Sequence, residues 1–151
     1  MKKGIDYIGV AVGVTLFNEK GQIFLSKRGQ EVKNEKGTWE GPGGSIDFGE
    51  RMADAIRREM REEYDIEIEI IKKFPAEDHF IPAEKQHWVA TTFWATLKAG
   101  QEPKIMEPHK CDAIGWFDLE NLPEPLSIIT QIDLKKVKDH RNLLELIPSD
   151  M

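Results

Sequence analysis

Cysteine is nearly absent from this chain of 151 residues, and long apolar stretches are absent altogether. The single thiol, Cys111, leaves no partner for an intrachain disulfide and is typical of a reducing compartment, so we expect a cytoplasmic protein. The apolar run from Ile5 to Phe17 is too short to span a membrane and is interrupted by Asp6. We therefore expect a strand here rather than a leader peptide, and no membrane partner.

The chain also lacks a surplus of positive charge. Its net charge of −6 and pI of about 5.3 argue against binding a nucleic-acid polymer, which needs a basic surface. A small anionic substrate is still compatible with this charge, because a bound metal ion can reverse the local field. The length, without internal repeats, predicts one domain over residues 1–151. The sequence leaves the oligomeric state open, with a homodimer as one candidate.

A helical segment from Arg51 to Tyr64 carries three acids on one side. Glu59, Glu62 and Glu63 are spaced i, i+3, i+4 and fall within an arc of about 100°. The same segment has an apolar stripe with helical periodicity, formed by Met52, Ala53, Ile56, Met60 and Tyr64. We therefore expect the acids to border the core, where carboxylates need a partner and hard oxygen ligands favour Mg²⁺ or Mn²⁺. The alternative is a solvated helix face with Arg–Glu ion pairs.

Just before this helix, Pro42, Gly43 and Gly44 predict a turn at which backbone can approach a ligand closely. The whole stretch fits the pattern G-x5-E-x7-R-E-U-x-E-E-x-G-U, where U is apolar, at every position but one. The matching residues are Gly44, Glu50, Arg58, Glu59, Met60, Glu62, Glu63 and Ile66. The pattern resembles the signature of the Nudix hydrolases. Asp65 stands where the pattern has glycine, and we expect it to adopt a left-handed backbone at a modest cost in stability.

The resemblance implies the Nudix α/β/α sandwich, in which a mixed sheet lies between helices, and the alternation of predicted strands and helices agrees with an α/β layer fold. Other segments are similar to the MutT-type branch of the family, which hydrolyses nucleoside triphosphates. They are Glu84 to Val89, Glu107 to Cys111, Gly115 to Phe117 and Leu122 to Leu126. The implied activity is Mg²⁺-dependent hydrolysis of a (d)NTP to a monophosphate and pyrophosphate. Alternative substrates are ADP-ribose, other nucleoside diphosphate derivatives and dihydroneopterin triphosphate, and the alternative of a different class is a non-catalytic nucleotide sensor.

The resemblance also implies which residues hold the metal ion. Glu59 and Glu63 are the implied ligands, with the Gly43 carbonyl as a further oxygen. Glu62 is the third candidate ligand. Mg²⁺ is the expected ion and Mn²⁺ the alternative.

The resemblance further implies a role for Arg58, which in the family orients a glutamate by hydrogen bonding. Glu59 is our first choice as general base, and Glu84 and Glu107 from loops are alternatives. Glu50 would lie about 13.5 Å before Glu59 along a helix, which favours a structural role for it.

Four residues are candidates for binding the substrate. Arg28 ends a predicted strand, and a similar arginine in related enzymes approaches substrate phosphates. Trp116 and Phe117 match the segment that lines the base pocket in the MutT-type branch, and alternation along a strand lets one of them face the pocket while the other joins the core. His87 is a candidate hydrogen-bond donor to a substrate oxygen, and a structural histidine is equally compatible with the sequence.

The remaining elements are predicted from hydrophobic periodicity and turn residues. The predicted strands are Ile5 to Phe17, Gln22 to Arg28, Ile66 to Phe74, His87 to Leu97 and Ala113 to Phe117. Loops are predicted at Gly29 to Lys36, with Lys33 and Lys36 as solvated charges, and at Phe74 to Pro82. A single helical turn is predicted at Asp118 to Leu122. A C-terminal helix is predicted from Ile128 to Ile147, with a break near Asp139.

Overall fold

The computed structural model describes residues 1–32 and 34–146. Lys33 and Ile147, which belong to a predicted loop and the predicted C-terminal helix, lie outside the described residues. The strands are β1 Gly9–Phe17, β2 Ile23–Arg28, β3 Trp39–Glu40, β4 Gly43–Ser45, β5 Ile68–Lys73, β6 Glu77–Ile81, β7 Gln86–Leu97 and β8 Cys111–Phe117. The helices are α1 Met52–Tyr64 and α2 Ile128–Asp139, and Pro82–Glu84 and Arg141–Leu146 are 3₁₀ segments.

The described strands join one sheet in which β1 runs parallel to β7 and antiparallel to β2 and β4. Strand β2 also pairs antiparallel with β3 and β8, and β7 pairs antiparallel with β5 and β6. One core cluster contains residues of α1 and the other contains residues of α2. The predicted α/β/α sandwich with a mixed sheet is therefore confirmed.

Alternation along β1 shows which side chains meet which helix. Val12, Val14 and Leu16 are buried in the cluster of α1, whereas Phe17 is buried in the cluster of α2. Because both faces of the strand are covered, its sequence reads as a nearly continuous apolar run. In the same way, even-numbered residues of β2 and odd-numbered residues of β7 face α1.

The first strand is shorter than predicted. It begins at Gly9 rather than at Ile5, because residues 2–7 form a tight turn in which the Gly4 N–H donates to the Tyr7 carbonyl over 2.7 Å. Ile5 is consequently half exposed. The other predicted strands that are present differ from the structure by one or two residues at their ends.

Helix α1 begins one residue later than predicted and ends at the predicted position. It starts after Arg51, and it stops at Asp65, whose backbone is left-handed with φ 54° and ψ 46°. The Asp65 N–H donates to the Arg61 carbonyl over 3.1 Å and closes the last turn. The expected conformation of Asp65 is thus confirmed, and the helix buries Ala55, Ile56, Met60 and Tyr64.

The predicted loop at Phe74 to Pro82 is wrong. Residues Glu77–Ile81 form β6, which makes an antiparallel hairpin with the start of β7. The buried side chains of this strand are His79 and Ile81. The exposed acids Glu77 and Asp78 at its start make the alternation of buried and exposed residues hard to recognise in the sequence. An edge strand with charged side chains is common, since charge discourages pairing with another chain.

Two differences concern the C-terminal part. The predicted helical turn at Asp118 to Leu122 is a hydrogen-bonded turn, in which the Asn121 N–H donates to the Asp118 carbonyl over 3.0 Å. Helix α2 ends at Asp139 and a 3₁₀ segment follows, which confirms the predicted break. Of the helices in the part of the chain that the structure describes, none is both long and apolar enough to cross a membrane.

Candidate active site

Strand β4 brings a glycine directly under the helix that carries the acids. This strand pairs with β1, and Gly44 lies opposite Val12. The backbone of β4 is therefore extended, and the predicted turn at Pro42 to Gly44 is wrong. The predicted close approach is nevertheless present. A Cβ on Gly44 would lie closer than 3.0 Å to the carboxyl carbon and both oxygens of Glu59. The missing side chain therefore lets the Glu59 carboxyl group rest on the β4 backbone.

Glu63 lies one helical turn after Glu59, and each carboxyl group shifts the pKa of the other. Burial, followed by the charge of Glu59, raises the pKa of Glu63 from 4.5 to about 9. Burial also raises the pKa of Glu59, against the opposing effect of the Arg58 guanidinium. Two half-buried carboxyl groups thus share a site in which one stays neutral unless a cation joins them.

The chemistry of this pair fits a divalent cation. Carboxylate oxygens are hard ligands, and an ion of the Mg²⁺ type commonly takes one or two carboxylates and completes its shell with water and substrate phosphates. Among residues 1–32 and 34–146 no group of three or more acidic, His or Cys side chains is gathered for metal binding. Backbone can supply a further protein oxygen, and the Gly43 carbonyl on the adjacent strand is the predicted source.

Glu62 differs from the other two acids. Its side chain is 58% exposed and accepts a hydrogen bond from Arg58 over 3.3 Å. The expectation that all three acids border the core is therefore wrong for Glu62. At 100° per residue, Glu62 lies about 160° around the helix from the buried Met60, on the solvent side.

Arg58 ties α1 to the loop that precedes it. Its guanidinium donates to the two oxygens of Glu50 over 2.7 and 2.9 Å and to the Ser45 carbonyl over 3.1 Å. It also donates to Glu59 over 3.1 Å and to Glu62 over 3.3 Å. The expected hydrogen bond from Arg58 to a glutamate of the helix is thus present, and it is part of a wider set of contacts.

Glu50 precedes the helix, which begins at Met52, so a distance along a helix does not describe its separation from Glu59. The Glu50 N–H donates to the Asp47 carbonyl over 3.0 Å and closes a short turn. The hydrogen bond from Arg58 is the main reason that the pKa of Glu50 falls to about 2. Glu50 therefore stays ionised and fixes Arg58, which agrees with the predicted structural role.

Of the two alternative bases, Glu107 is the one near the acid pair. Its charge contributes to the raised pKa of Glu63, and its side chain is within 3.6 Å of Lys110. Glu84 lies exposed in the 3₁₀ segment Pro82–Glu84, at the turn between β6 and β7. The structure thus brings Glu107, and not Glu84, towards Glu63.

Arg28 ends β2 and is held by two neighbours. Its guanidinium donates to Glu40 over 3.0 and 3.2 Å, and to the carbonyl and side-chain oxygens of Asn34 over 3.0 and 2.7 Å. Glu40, on β3, is paired with Ser26 of β2 and so faces the α1 side of the sheet. Its charge also raises the pKa of Glu63 on that side. Sequence reasoning missed Glu40, because a single acid in a two-residue strand shows no periodicity that would indicate which way it faces.

The predicted base-binding residues lie on opposite faces. Trp116 packs on Phe24 in the α1 cluster with ring centroids 5.4 Å apart. Phe117 packs on Trp39 in the α2 cluster with centroids 5.1 Å apart. The two side chains therefore lie on opposite faces of the sheet, and Trp116 is the one on the α1 side; that it binds a base stays a prediction.

The comparisons with known proteins agree with this geometry. The NUDIX domain profile matches residues 8–141. The chain belongs to the Nudix hydrolase family. An RNA pyrophosphohydrolase of Gluconacetobacter diazotrophicus is 30% identical over 136 residues, which cover 75% of this chain and 78% of that protein. The 8-oxo-dGDP phosphatase NUDT18 of Mus musculus is 28% identical over 83% of this chain, but over only 36% of its own length.

Solved structures show the same fold. A MutT NUDIX hydrolase from Burkholderia pseudomallei has a TM-score of 0.79 and 35% identity, covering 87% of this chain and 99% of its own. A MutT protein from Methanosarcina mazei Go1 has a TM-score of 0.70 and 21% identity, covering 89% and 95% of the two chains. The protein is therefore a Nudix enzyme that acts on nucleoside diphosphate-linked compounds, a family whose members generally need divalent cations.

One apolar surface of this Nudix domain was not predicted. Val10 lies on the same face of β1 as Val12 and is 47% exposed. Phe80 is paired with His87 in the β6–β7 hairpin and is 56% exposed. By alternation both face the α1 side of the sheet. His87 stacks on Phe80 with centroids 4.5 Å apart and lies 2.9 Å from Asp78. This exposed apolar surface, defined by Val10, Phe80 and His87, lies on the face of the sheet that carries the acids.

Proposed function

We propose that this Nudix enzyme hydrolyses a nucleoside triphosphate to a monophosphate and pyrophosphate with Mg²⁺ as cofactor and Mn²⁺ as the alternative ion. The observation that supports it best is the half-buried pair of carboxyl groups of Glu59 and Glu63 on α1. Within the described residues Glu63 has no ion pair with a Lys, Arg or His side chain, and its raised pKa marks a site that favours a positive charge.

Glu59, Glu63 and the Gly43 carbonyl would hold the metal ion, and the exposed Glu62 would reach it directly or through water. The ion would neutralise charge on the bridging and terminal phosphate oxygens. Arg58 keeps Glu59 oriented from the opposite side through the hydrogen bond of 3.1 Å. This leaves Glu59 as the proposed base that takes a proton from the attacking water, with Glu107 as the alternative.

The rest of the substrate would be held outside the acid pair. Arg28 is the proposed phosphate contact, because a guanidinium presents a fork of donors that suits phosphate oxygens. Trp116 and the exposed apolar surface of Val10, Phe80 and His87 are the proposed contacts for the nucleobase, since stacking on aromatic groups suits any base.

A second candidate substrate is the triphosphorylated 5′ end of an RNA. Its support is that relatives from Gluconacetobacter, Pelagibacter and Bartonella, 27–30% identical, are named RNA pyrophosphohydrolases. The net charge of −6 argues against many contacts along an RNA backbone, so the enzyme would grip the 5′ end and little else. ADP-ribose and related diphosphate derivatives are rivals within the same reaction class.

A panel of substrates with Mg²⁺ tests the proposal. Nucleoside triphosphates, ADP-ribose and a short RNA with a 5′-triphosphate are incubated with the protein, and the products are separated by ion-exchange chromatography. We expect a monophosphate and pyrophosphate from at least one nucleotide, and no turnover in EDTA. Full activity in EDTA, or turnover confined to ADP-ribose, contradicts the proposal; a preference for the RNA end supports the second candidate.

The variant Glu63→Gln tests the metal ligand. It keeps the shape of the side chain and removes one ligand charge, and we expect turnover to fall by about 10²-fold. The control is Glu69→Gln, which removes the same charge from an exposed position on β5. Equal turnover of the Glu63→Gln variant and the control would rule out the proposed metal site. Size-exclusion chromatography with light scattering in the same buffer determines the oligomeric state, for which a homodimer is one candidate.

A further inference from the structure

Arg28 is unusually constrained for an arginine at the end of a strand. Three of its guanidinium nitrogens donate hydrogen bonds, and the four bonds go to two residues, Glu40 and Asn34. Its side chain is 20% exposed. A guanidinium has five N–H groups, so these four hydrogen bonds fix its orientation and still leave donor capacity for a ligand.

Glu40 provides the charged part of this arrangement. It lies on the two-residue strand β3, which pairs with β2 through Ser26 opposite Glu40 and Lys27 opposite Trp39. The backbone after it is anchored from the other face of the sheet, because the Gly41 N–H donates to the Thr130 hydroxyl over 3.0 Å. Glu40 thus has a rigid backbone on both sides, and it faces Arg28 and the acid pair on the α1 side.

We propose that Glu40 is a positioning residue for the substrate phosphates and that it acts through Arg28, which it holds on the face of the sheet that carries the acid pair. This inference rests on the proposed function, in which Arg28 contacts a phosphate. Arginine loses much rotamer freedom when it binds a ligand, and a partner that fixes it beforehand removes part of that cost from binding. Glu40 needs no contact with the substrate for this role.

The expected signature is therefore a change in substrate affinity rather than in the chemical step. We expect Glu40→Gln to raise KM about tenfold while kcat stays within about twofold of the wild type, since the interaction is lost equally in the ground and transition states. The matched control is Glu31→Gln, which removes the same charge from an exposed position in the loop between β2 and β3. This control should leave KM unchanged.

A double-mutant cycle separates action through Arg28 from a direct effect on the acids. If Glu40 acts through Arg28, then Glu40→Gln has no further effect on KM in the Arg28→Ala background. Additive effects on KM, or a loss of kcat that persists without Arg28, would overturn the inference and point instead to a direct influence on Glu63. Should Glu40→Gln fail to fold by circular dichroism, Glu40→Asp replaces it in the cycle, since it keeps the charge and withdraws the carboxylate from Arg28, and the same dependence on Arg28 is expected.

Binding of inorganic triphosphate, measured by calorimetry with the same four proteins and Mg²⁺, keeps this test independent of turnover. If the wild type hydrolyses no nucleotide, the proposed function is refuted, but the double-mutant cycle measured on the affinity for inorganic triphosphate still decides whether Glu40 acts through Arg28. If the wild type hydrolyses triphosphates and the effects of the two substitutions on affinity are additive, the positioning role alone is refuted.

Discussion

The carboxyl group of Glu59 rests directly on Gly44. A side chain at position 44 would displace this carboxyl group, because a Cβ there would lie closer than 3.0 Å to both carboxyl oxygens. The helix and the glycine strand are therefore matched to one another, and the glycine sets the depth at which the acid sits. Arg58 then holds the same carboxyl group from the other side over 3.1 Å.

The first prediction is that Gly44→Ala displaces Glu59 and impairs catalysis. A misplacement of about 1 Å can cost about 10²-fold in rate, and we expect a loss of this order. The atoms nearest to the added methyl group are the flexible end of Glu59, which can move aside, so the free energy of unfolding should change little. Steady-state kinetics and urea unfolding measure the two effects. Ser45→Ala is the control, since its side chain points to the other face of β4. A Gly44→Ala variant with wild-type kcat would show that the depth of Glu59 is unimportant.

The second prediction concerns the pH dependence of stability in the metal-free protein. The pKa of Glu63 is raised from 4.5 to about 9, so the folded state favours the neutral acid. Below pH 4.5 the folded and unfolded states both hold the proton and no penalty exists. As pH rises from 4.5 to 9 the unfolded state releases the proton more easily, and stability falls.

Thermal unfolding in EDTA at pH 5, 7 and 9 measures this effect. We expect Tm to fall across the range, Glu63→Gln to flatten the fall between pH 7 and 9, and added Mg²⁺ to restore Tm in the wild type. Asp133 contributes in the same direction, but its pKa of about 6 confines its effect to the acidic part of the range. A wild type whose Tm is constant from pH 7 to 9 would mean that Glu63 is not held in its neutral form.

A third prediction follows from the end of α1. Asp65 has a left-handed backbone with φ 54°, a conformation in which glycine has no Cβ penalty. Asp65→Gly should therefore raise the free energy of unfolding by about 0.5–1 kcal/mol and leave kcat unchanged. The ion pair of Asp65 with Lys104 is exposed at 3.7 Å and contributes little. Asp65→Asn removes the charge but keeps the side-chain shape; if it stabilises as much as glycine, charge rather than backbone strain is the cause.

The sequence predicts the acid pair well because helical spacing is local. Glu59 and Glu63 are four residues apart, so any helix over this segment places them together, whatever it packs against. The left-handed Asp65 is predictable for the same reason. Glu62 shows the limit of this reasoning. All three acids lie within one arc of the helix, but which of them faces solvent depends on where the centre of the apolar stripe lies.

Features that depend on distant partners escaped prediction. Glycines in β4 look like a turn, because the sequence does not show that β4 pairs with β1 or that Glu59 needs the space. Glu40 is a single charge in a two-residue strand, and its importance comes from Arg28, twelve residues away. Strand β6 was hidden by Glu77 and Asp78, which are exposed at the edge of the sheet.

The last prediction separates the two aromatic residues of β8. Trp116 lies on the face of the acids and Phe117 on the face of α2, so their loss should affect different properties. We expect Trp116→Ala to raise KM for a nucleoside triphosphate about tenfold, since stacking on a base contributes about 1–3 kcal/mol. Phe117→Ala should destabilise the fold by about 2–4 kcal/mol and leave KM unchanged at a temperature where both variants are folded.

The measurement compares a nucleoside triphosphate with inorganic triphosphate, which has no base to stack. A base contact at Trp116 predicts a change in KM or affinity for the nucleotide and none for inorganic triphosphate. The companion variant Phe80→Ala tests the exposed apolar surface in the same way, and because Phe80 is 56% exposed, little stability is lost. If Phe80→Ala raises KM and Trp116→Ala does not, the nucleobase lies over the β6–β7 hairpin and Trp116 is a core residue of the α1 side.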